Sequence, residues 1–361
     1  MIKTLTLQQF RKYSKQTFQF DKRFVIIHAP NARGKTTILE AINYLTNATS
    51  DWTSDLADLY MIEDSTAEFF RIEAEIELEE ENHNYAIYQS PKEKSYLING
   101  HRTTRKKYAE NLASTVFSPE HIELLMISPQ KRRDYLDNVI SKIDLDYADQ
   151  IALLRKVLRQ RNAHLKKLAK SFYETGIVPA KDQQLTYWSQ KLVEISAPIM
   201  IKRDRIISRL INDKFKVVYQ PSLKVNEFEI MQEATQLAQL HLQALEANMK
   251  REVAMGHTLI GPHRDDWGIF NGKEIKRFGS RGEKRMAIGE LIFLCQELFA
   301  KELGFYPILL LDDITSELDT ENSQRILTDE IMEKQQVFVT TVTLEGFPEE
   351  LLNNSQIIKL E

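Results

Sequence analysis

The chain has 361 residues, 42% of them hydrophobic and 28% charged, with a formal net charge of −4, enough for one large core or two smaller ones, and two lobes are expected. No apolar run approaches the roughly 20 residues needed to span a bilayer, and Met1-Ile2-Lys3-Thr4-Leu5 lacks the apolar core of a secretion signal, so a cytoplasmic location without membrane contact is expected. The single cysteine, Cys295, follows Leu291-Ile292-Phe293-Leu294; it excludes a disulfide framework and a thiolate metal site and reads as core.

In chain order, Ile2 to Leu7 and Phe24-Val25-Ile26-Ile27 read as strands, the second apolar and largely β-branched as in a buried sheet. Arg33 to Leu45 predicts a helix with Ile38, Leu39, Ile42 and Leu45 on one face. Phe69 to Leu78 and Tyr85 to Tyr88 largely alternate apolar and polar residues, and Asn99-Gly100 signals a tight turn, so a β-rich layer is expected there. From Ile122 to about Leu210 the pattern is mainly helical, broken around Gly176 to Pro179, and reads as an inserted lobe. Strands return at Phe215 to Tyr219 and Trp267 to Phe270, followed by a helix from Glu283 to Leu303 and the apolar strand Ile308 to Leu311. These textures place residues 1–110 and 277–361 in one discontinuous lobe and 111–276 in the other.

Ala29-Pro30-Asn31-Ala32-Arg33-Gly34-Lys35-Thr36-Thr37 joins the buried strand to the helix, the setting of a phosphate-binding loop. There, backbone N–H groups and the positive helix end face the β-phosphate, Lys35 reaches the β- and γ-oxygens, and the Thr36 hydroxyl ligates magnesium. Ala29 stands at the usual first glycine, so an ordinary strand-to-helix turn is the competing reading. Ile308-Leu309-Leu310-Leu311-Asp312-Asp313 ends an apolar strand in two carboxylates, with Asp312 suited to magnesium and Asp313 to the attacking water; capping of a following helix is the alternative. Between these motifs lies Ser280-Arg281-Gly282-Glu283, where a hydroxyl, a glycine and a helix start together suit a γ-phosphate, although the string taken alone reads as a helix cap.

Further segments carry a resemblance. Phe117-Ser118-Pro119-Glu120, Ser128-Pro129 with Arg132-Arg133, Leu136-Asp137, Leu158-Arg159-Gln160-Arg161-Asn162, Gly261-Pro262-His263-Arg264-Asp265-Asp266 and Leu309-Leu310-Leu311-Asp312-Asp313 resemble the RecF family of ABC/SMC-type ATPases, in that family's order and over nearly the whole chain. Thr315-Ser316-Glu317-Leu318-Asp319 resembles the D-loop of ABC-type heads. The resemblance implies an α/β fold, a P-loop ABC-type ATPase head with an inserted, mainly helical second lobe. It implies ATP and Mg2+ as cofactors and Lys35 with Asp313 as the catalytic residues. Ser280, Gly282 and Glu283 would form a signature acting in trans on the nucleotide of a second copy. The activity implied is weak, DNA-stimulated ATP hydrolysis by an ATP-dependent homodimer on duplex DNA near single-strand gaps, assisting recombinase loading with a partner such as RecR.

The sequence departs from that family's pattern. Ala29 and Ala32 replace glycines; the first is expected to cost on the order of 1 kcal/mol and the second to crowd a phosphate. Arg281 stands where Gln is usual, and Trp52 where Arg is common. The alternative is a nucleotide-insensitive repair scaffold with a degraded P-loop.

Ile151 to Lys170 holds seven Lys or Arg and no Asp or Glu. At about 100° per residue, one helix puts Arg155, Lys156, Arg159, Lys166, Lys167 and Lys170 on one arc. Ile151, Leu153, Leu154, Val157, Leu158, Leu165, Leu168 and Ala169 fall opposite. The basic arc is expected to contact duplex phosphates without reading sequence, with an ordinary solvated face as the alternative. Arg102, Arg105, Lys106 and Lys107 form a second cluster. Gly261 to Asp266 reads as a turn tied by Arg-to-Asp hydrogen bonds rather than as a metal site.

Overall fold

The computed structural model describes residues 1–53, 55–61, 68–118, 128–178, 181–224, 233–313, 334–345 and 347–360. Contacts divide the chain into two compact units, Met1–Glu123 with Phe299–Glu361, and Leu124–Leu298. These boundaries differ from the 110/111 and 276/277 drawn from sequence texture. The stretch after residue 276 packs within the second unit, where Asn212 Nδ2 donates to Glu290 Oε2 at 2.9 Å and the Tyr135 hydroxyl meets Cys295 Sγ at 3.5 Å.

The first unit opens with β1 (Ile2–Phe10), β2 (Tyr13–Gln19), β3 (Phe24–His28) and α1 (Lys35–Asn47). It continues through β4 (Phe70–Leu78), β5 (Glu81–Gln89), β6 (Lys94–Ile98), β7 (His101–Thr103), α2 (Arg105–Ala109) and β8 (Ser114–Phe117). Six of the strands form an antiparallel sheet in the order β2-β1-β4-β5-β6-β7. Asn99 and Gly100, at φ 50° and 78°, turn β6 into β7, as the Asn-Gly pair predicts. Strand β2 carried no sequence signal because it buries Phe18 alone and exposes most of its polar residues.

The second unit contains α3 (Pro129–Ile143), α4 (Leu145–Thr175), α5 (Gln183–Ile207), β9 (Lys216–Gln220), α6 (Ala234–Met255), β10 (Asp266–Asn271), β11 (Lys273–Glu274), α7 (Ile275–Phe278) and, as far as Leu298, α8 (Arg281–Leu303). Asp144 caps α4 by accepting from Asp146 N, and Gly176 ends the helix at φ 71°. Helices α4, α5 and α6 share an apolar cluster of Leu165, Leu185 and Val253. Among the described residues, no helix is long and apolar enough to cross a membrane.

The chain then returns to the first unit as β12 (Ile308–Leu311), β13 (Val337–Thr341), α9 (Glu349–Asn354) and β14 (Gln356–Lys359). These strands complete a parallel sheet in the order β14-β3-β13-β12-β8. Helix α1 is buried along nearly its whole length because both sheets pack on it. Ile38, Ile42 and Leu45 share one core with Leu5, Leu7, Ile72 and Phe338. Its buried polar residues are satisfied: Asn43 Nδ2 donates to Asp51 at 3.0 Å, and the Thr46 hydroxyl donates to Ser114 Oγ at 2.7 Å.

Candidate nucleotide site and basic face

In an open parallel sheet, ligands collect beyond the carboxyl ends of the strands, where loops lead to helix N-termini. Here β3 delivers the loop 29–34 and the start of α1, while β12 delivers Asp312 and Asp313, with β13 between them in the sheet. The Thr36 hydroxyl donates to Asp312 Oδ1 at 3.1 Å, and Thr340, at the end of β13, donates to the same oxygen at 2.6 Å. Thr340 Oγ1 also accepts from Asp313 N at 2.8 Å. Thr340 therefore holds both aspartates in place. Its only signal in the sequence is the pair of threonines that ends the apolar Val337-Phe338-Val339 run.

Burial pushes the Asp312 carboxyl above the ordinary carboxylate range; hydrogen bonds from Thr340, Thr36 and Trp52 oppose this, and Asp313 adds repulsion. Hard oxygen donors from Thr36 and Asp312, converging at a buried carboxylate that Asp313 further repels, fit a magnesium ion. The Lys35 ammonium is buried and donates to the carbonyls of Ala29 (2.6 Å) and Pro30 (3.0 Å). Burial lowers its pKa, against the pull of Asp313 and Asp312. Residues of this loop line a cleft of about 470 Å³ that also includes Arg11, Lys12, Trp52 and Ser118. Arg11 is consumed by Glu40, which it grips through Nε and Nη2 at 2.7 and 2.8 Å, and Glu40 also accepts from Ser50 at 2.7 Å. The structure thus brings Asn31 to Thr37 to one cleft with Asp312 and Asp313, while Ala29 and Pro30 supply the carbonyls that Lys35 donates to.

The backbone corrects the account of the two alanines. Ala29 is buried and has no positive φ, whereas Ala32 stands at φ 64°, and Gly34 at φ 86° supplies the second left-handed residue of the loop. The conformational penalty falls on Ala32. Ala32→Gly is therefore expected to stabilise the protein by roughly 1 kcal/mol, because a left-handed L-residue is relieved. Ala29→Gly is expected to destabilise it by about 0.5–1 kcal/mol through added freedom of the unfolded chain. Urea unfolding of the two variants distinguishes them, and equal shifts would contradict the assignment.

Ser280, Gly282 and Glu283 lie in the second unit. Ser280 N donates to the Glu283 carboxylate at 2.6 Å, and Glu283 N donates to Ser280 Oγ at 3.2 Å. This is a reciprocal capping box at the start of α8. Hydrogen bonds from Ser280 hold the Glu283 pKa below its usual value, and Lys273 adds an ion pair at 3.3 Å. Ser280 and Gly282 are exposed, and a methyl group built on Gly282 would meet nothing within 4 Å. The string is a helix cap in fact, with open space around it for a further ligand. The D-loop-like segment Thr315 to Asp319 lies outside the described residues.

All six predicted DNA-contact residues, Arg155, Lys156, Arg159, Lys166, Lys167 and Lys170, are exposed on α4. Two details differ from the sequence reading. Leu153 does not join the apolar face; it is 47% exposed. The arc also has an acid nearby that the local sequence does not reveal, Asp134 on α3, at 3.9 Å from Arg155.

Arg161, the seventh basic residue of this stretch, points inward and is 1% exposed. It donates to Ser189 Oγ (3.1 Å), Thr258 Oγ1 (2.8 Å) and Glu252 Oε2 (2.7 Å), tying α4 to α5, α6 and the following loop. Asn162 Oδ1 accepts from Thr258 N and Oγ1. The Gly261 to Asp266 turn is likewise tied by Arg–Asp contacts, though through arginines outside the turn: Arg132 grips Asp266 by two 2.6 Å bonds, and the buried Arg203 meets Asp265 at 3.7 Å. Arg264 instead faces Thr258 O.

A family model described as the RecF/RecN/SMC N-terminal domain matches residues 1–359. The DNA replication and repair protein RecF of Natranaerobius thermophilus is 32% identical, over 95% of this chain and 91% of that protein. The chain belongs to the RecF family. The RecF of Geobacillus thermodenitrificans is also 32% identical, over 99% of this chain and 96% of its own. Among solved structures, the recombination mediator protein RecF-ATPrS of the RecFOR pathway superposes with a TM-score of 0.82 at 27% identity, covering 96% of this chain and 94% of that one. The RecF-ATP structure gives 0.80 at 26%, covering 96% and 93%. This RecF-family chain accordingly has the ABC-type head fold, an α/β ATPase unit interrupted by a mainly helical one.

Proposed function

We propose that this chain binds ATP with magnesium in the cleft at the carboxyl ends of β3, β12 and β13, and pairs with a second copy whose Ser280 and Gly282 face the nucleotide. In this reading it holds duplex DNA near single-strand gaps on the basic face of α4 and assists recombinase loading with a partner such as RecR. The observation that carries the reading is the 3.1 Å hydrogen bond from Thr36 to Asp312, which joins the phosphate-loop helix to the strand-end carboxylates. Bound magnesium supplies charge neutralisation for the phosphate oxygens. Thr36 and Asp312 would hold it, Lys35 would neutralise the transferring phosphate, and Asp313 would orient the attacking water, giving slow, DNA-stimulated phosphoryl transfer to water. The likeness to structures with bound ATP and to relatives named for DNA replication and repair supports the assignment.

The decisive measurement is mass in solution with and without ATP and magnesium. Wild type is expected to double its mass with ATP, Lys35→Ala to remain single in both conditions, and Ser280→Arg to remain single while still binding nucleotide. A Ser280→Arg variant that doubles like wild type would overturn the trans site. One observation favours a second reading, the nucleotide-insensitive scaffold: Ala32 occupies a left-handed position in the loop. Wild type that binds DNA but shows no affinity for ATP would select it.

A further inference from the structure

The turn between β1 and β2 brings a second lysine to the phosphate loop. Lys12 lines the cleft alongside Asn31 and Lys35. Its aliphatic stem lies directly on Gly34: a methyl group built there would come within 2.6 Å of Lys12 Cδ and 2.8 Å of Cε. The adjacent Tyr13 hydroxyl donates to Gly34 O at 3.4 Å, fastening the same turn to the same residue. Glycine at position 34 thus serves two needs, a left-handed φ and room for the Lys12 stem.

The cations around this cleft are engaged differently. Arg11 is committed to Glu40, and Lys35 to the loop carbonyls and the field of the two aspartates. Lys12 has no acidic partner among the described residues; its ammonium lies 5.6 Å from the centre of the Tyr13 ring. A half-buried lysine whose stem lies on Gly34 at the lining of the cleft, without an acidic partner among the described residues, is complementary to an anionic ligand entering there.

We infer that Lys12 binds phosphate in this cleft, neutralising the part of the ligand common to nucleoside di- and triphosphates. This rests on the nucleotide reading above. The assignment to the inner phosphates follows from placement: Lys12 covers Gly34, where α1 begins, and forms no ion pair with Asp312 or Asp313, which with Thr36 mark the magnesium end. Lys12 and Lys35 then divide the ligand between them.

The test is calorimetric titration of wild type, Lys12→Met and Lys12→Arg with magnesium-ATP and magnesium-ADP. Methionine keeps the stem on Gly34 and removes the charge, so an unchanged melting temperature separates a binding loss from unfolding. Lys12→Met is expected to lose about tenfold in affinity for both nucleotides, the scale of one charge-assisted hydrogen bond, with their ratio unchanged and with Lys12→Arg close to wild type. Unchanged affinities, or a loss confined to ATP, would overturn the assignment. Wild type that binds neither nucleotide would overturn the nucleotide reading and this one together.

Discussion

Replacing Arg155, Arg159, Lys166 and Lys170 together with Gln is expected to lower affinity for duplex DNA by on the order of 10- to 100-fold at moderate salt, and equally for unrelated sequences. The four side chains are exposed on one arc of α4, and their removal leaves the buried face of Leu154, Val157, Leu158 and Leu165 intact. Phosphate neutralisation releases condensed counterions, so the plot of log affinity against log salt should become shallower by up to about 0.9 for each phosphate no longer neutralised. Arg155 should contribute least, because Asp134 already lies 3.9 Å from it. An unchanged salt slope in the folded variant would mark the arc as an ordinary solvated face and direct attention to Arg102, Arg105, Lys106 and Lys107.

Arg161→Met is expected to destabilise the second unit by about 3–5 kcal/mol, far more than any exposed arginine of the same helix. The substitution strands the Glu252 carboxylate, which is 0% exposed, with Leu259 N at 2.8 Å as its remaining donor among the described residues. It also removes donors from Ser189 and Thr258. Arg161→Met combined with Glu252→Gln should recover much of the loss, since the amide oxygen can still accept from Leu259 N without a buried charge. Urea unfolding followed by helix signal reads both variants. A single variant as stable as Arg159→Gln would show that the buried pair does not hold the three helices together.

Arg159 and Arg161 also mark the limit of what the sequence could convey. They are two residues apart in a run of basic residues, yet one is solvated and the other is the polar centre of a helical bundle. The angular spacing separates Arg161 from the exposed arc but does not reveal its partners, because Ser189, Glu252 and Thr258 arrive from distant segments. The strand-loop-helix setting of residues 29–37 was legible because it is local: a buried strand, a helix start and a Lys-Thr pair are contiguous. The aspartates were legible from the strand that precedes them. Thr340 was not, since its role arises from β13 lying between β3 and β12, a sheet order that no single segment encodes. The left-handed backbone at Ala32 rather than Ala29 was likewise set by how the loop closes on α1.

The strand order has a consequence for how the protein comes into being on a ribosome. Strand β3 is paired on one side with residues 337–341 and on the other with residues 356–359. Its apolar Phe24-Val25-Ile26-Ile27 run thus emerges first and finds neither neighbour until the whole second unit has been synthesised. The antiparallel sheet, whose strands all lie before residue 104, can assemble early, while the phosphate loop waits on a closure spanning hundreds of residues. Long-range parallel pairing of this kind is slow and leaves strand edges open to wrong partners. A nascent chain lacking residues 334–360 therefore presents a hydrophobic strand with neither of its sheet neighbours, a species suited to chaperone capture.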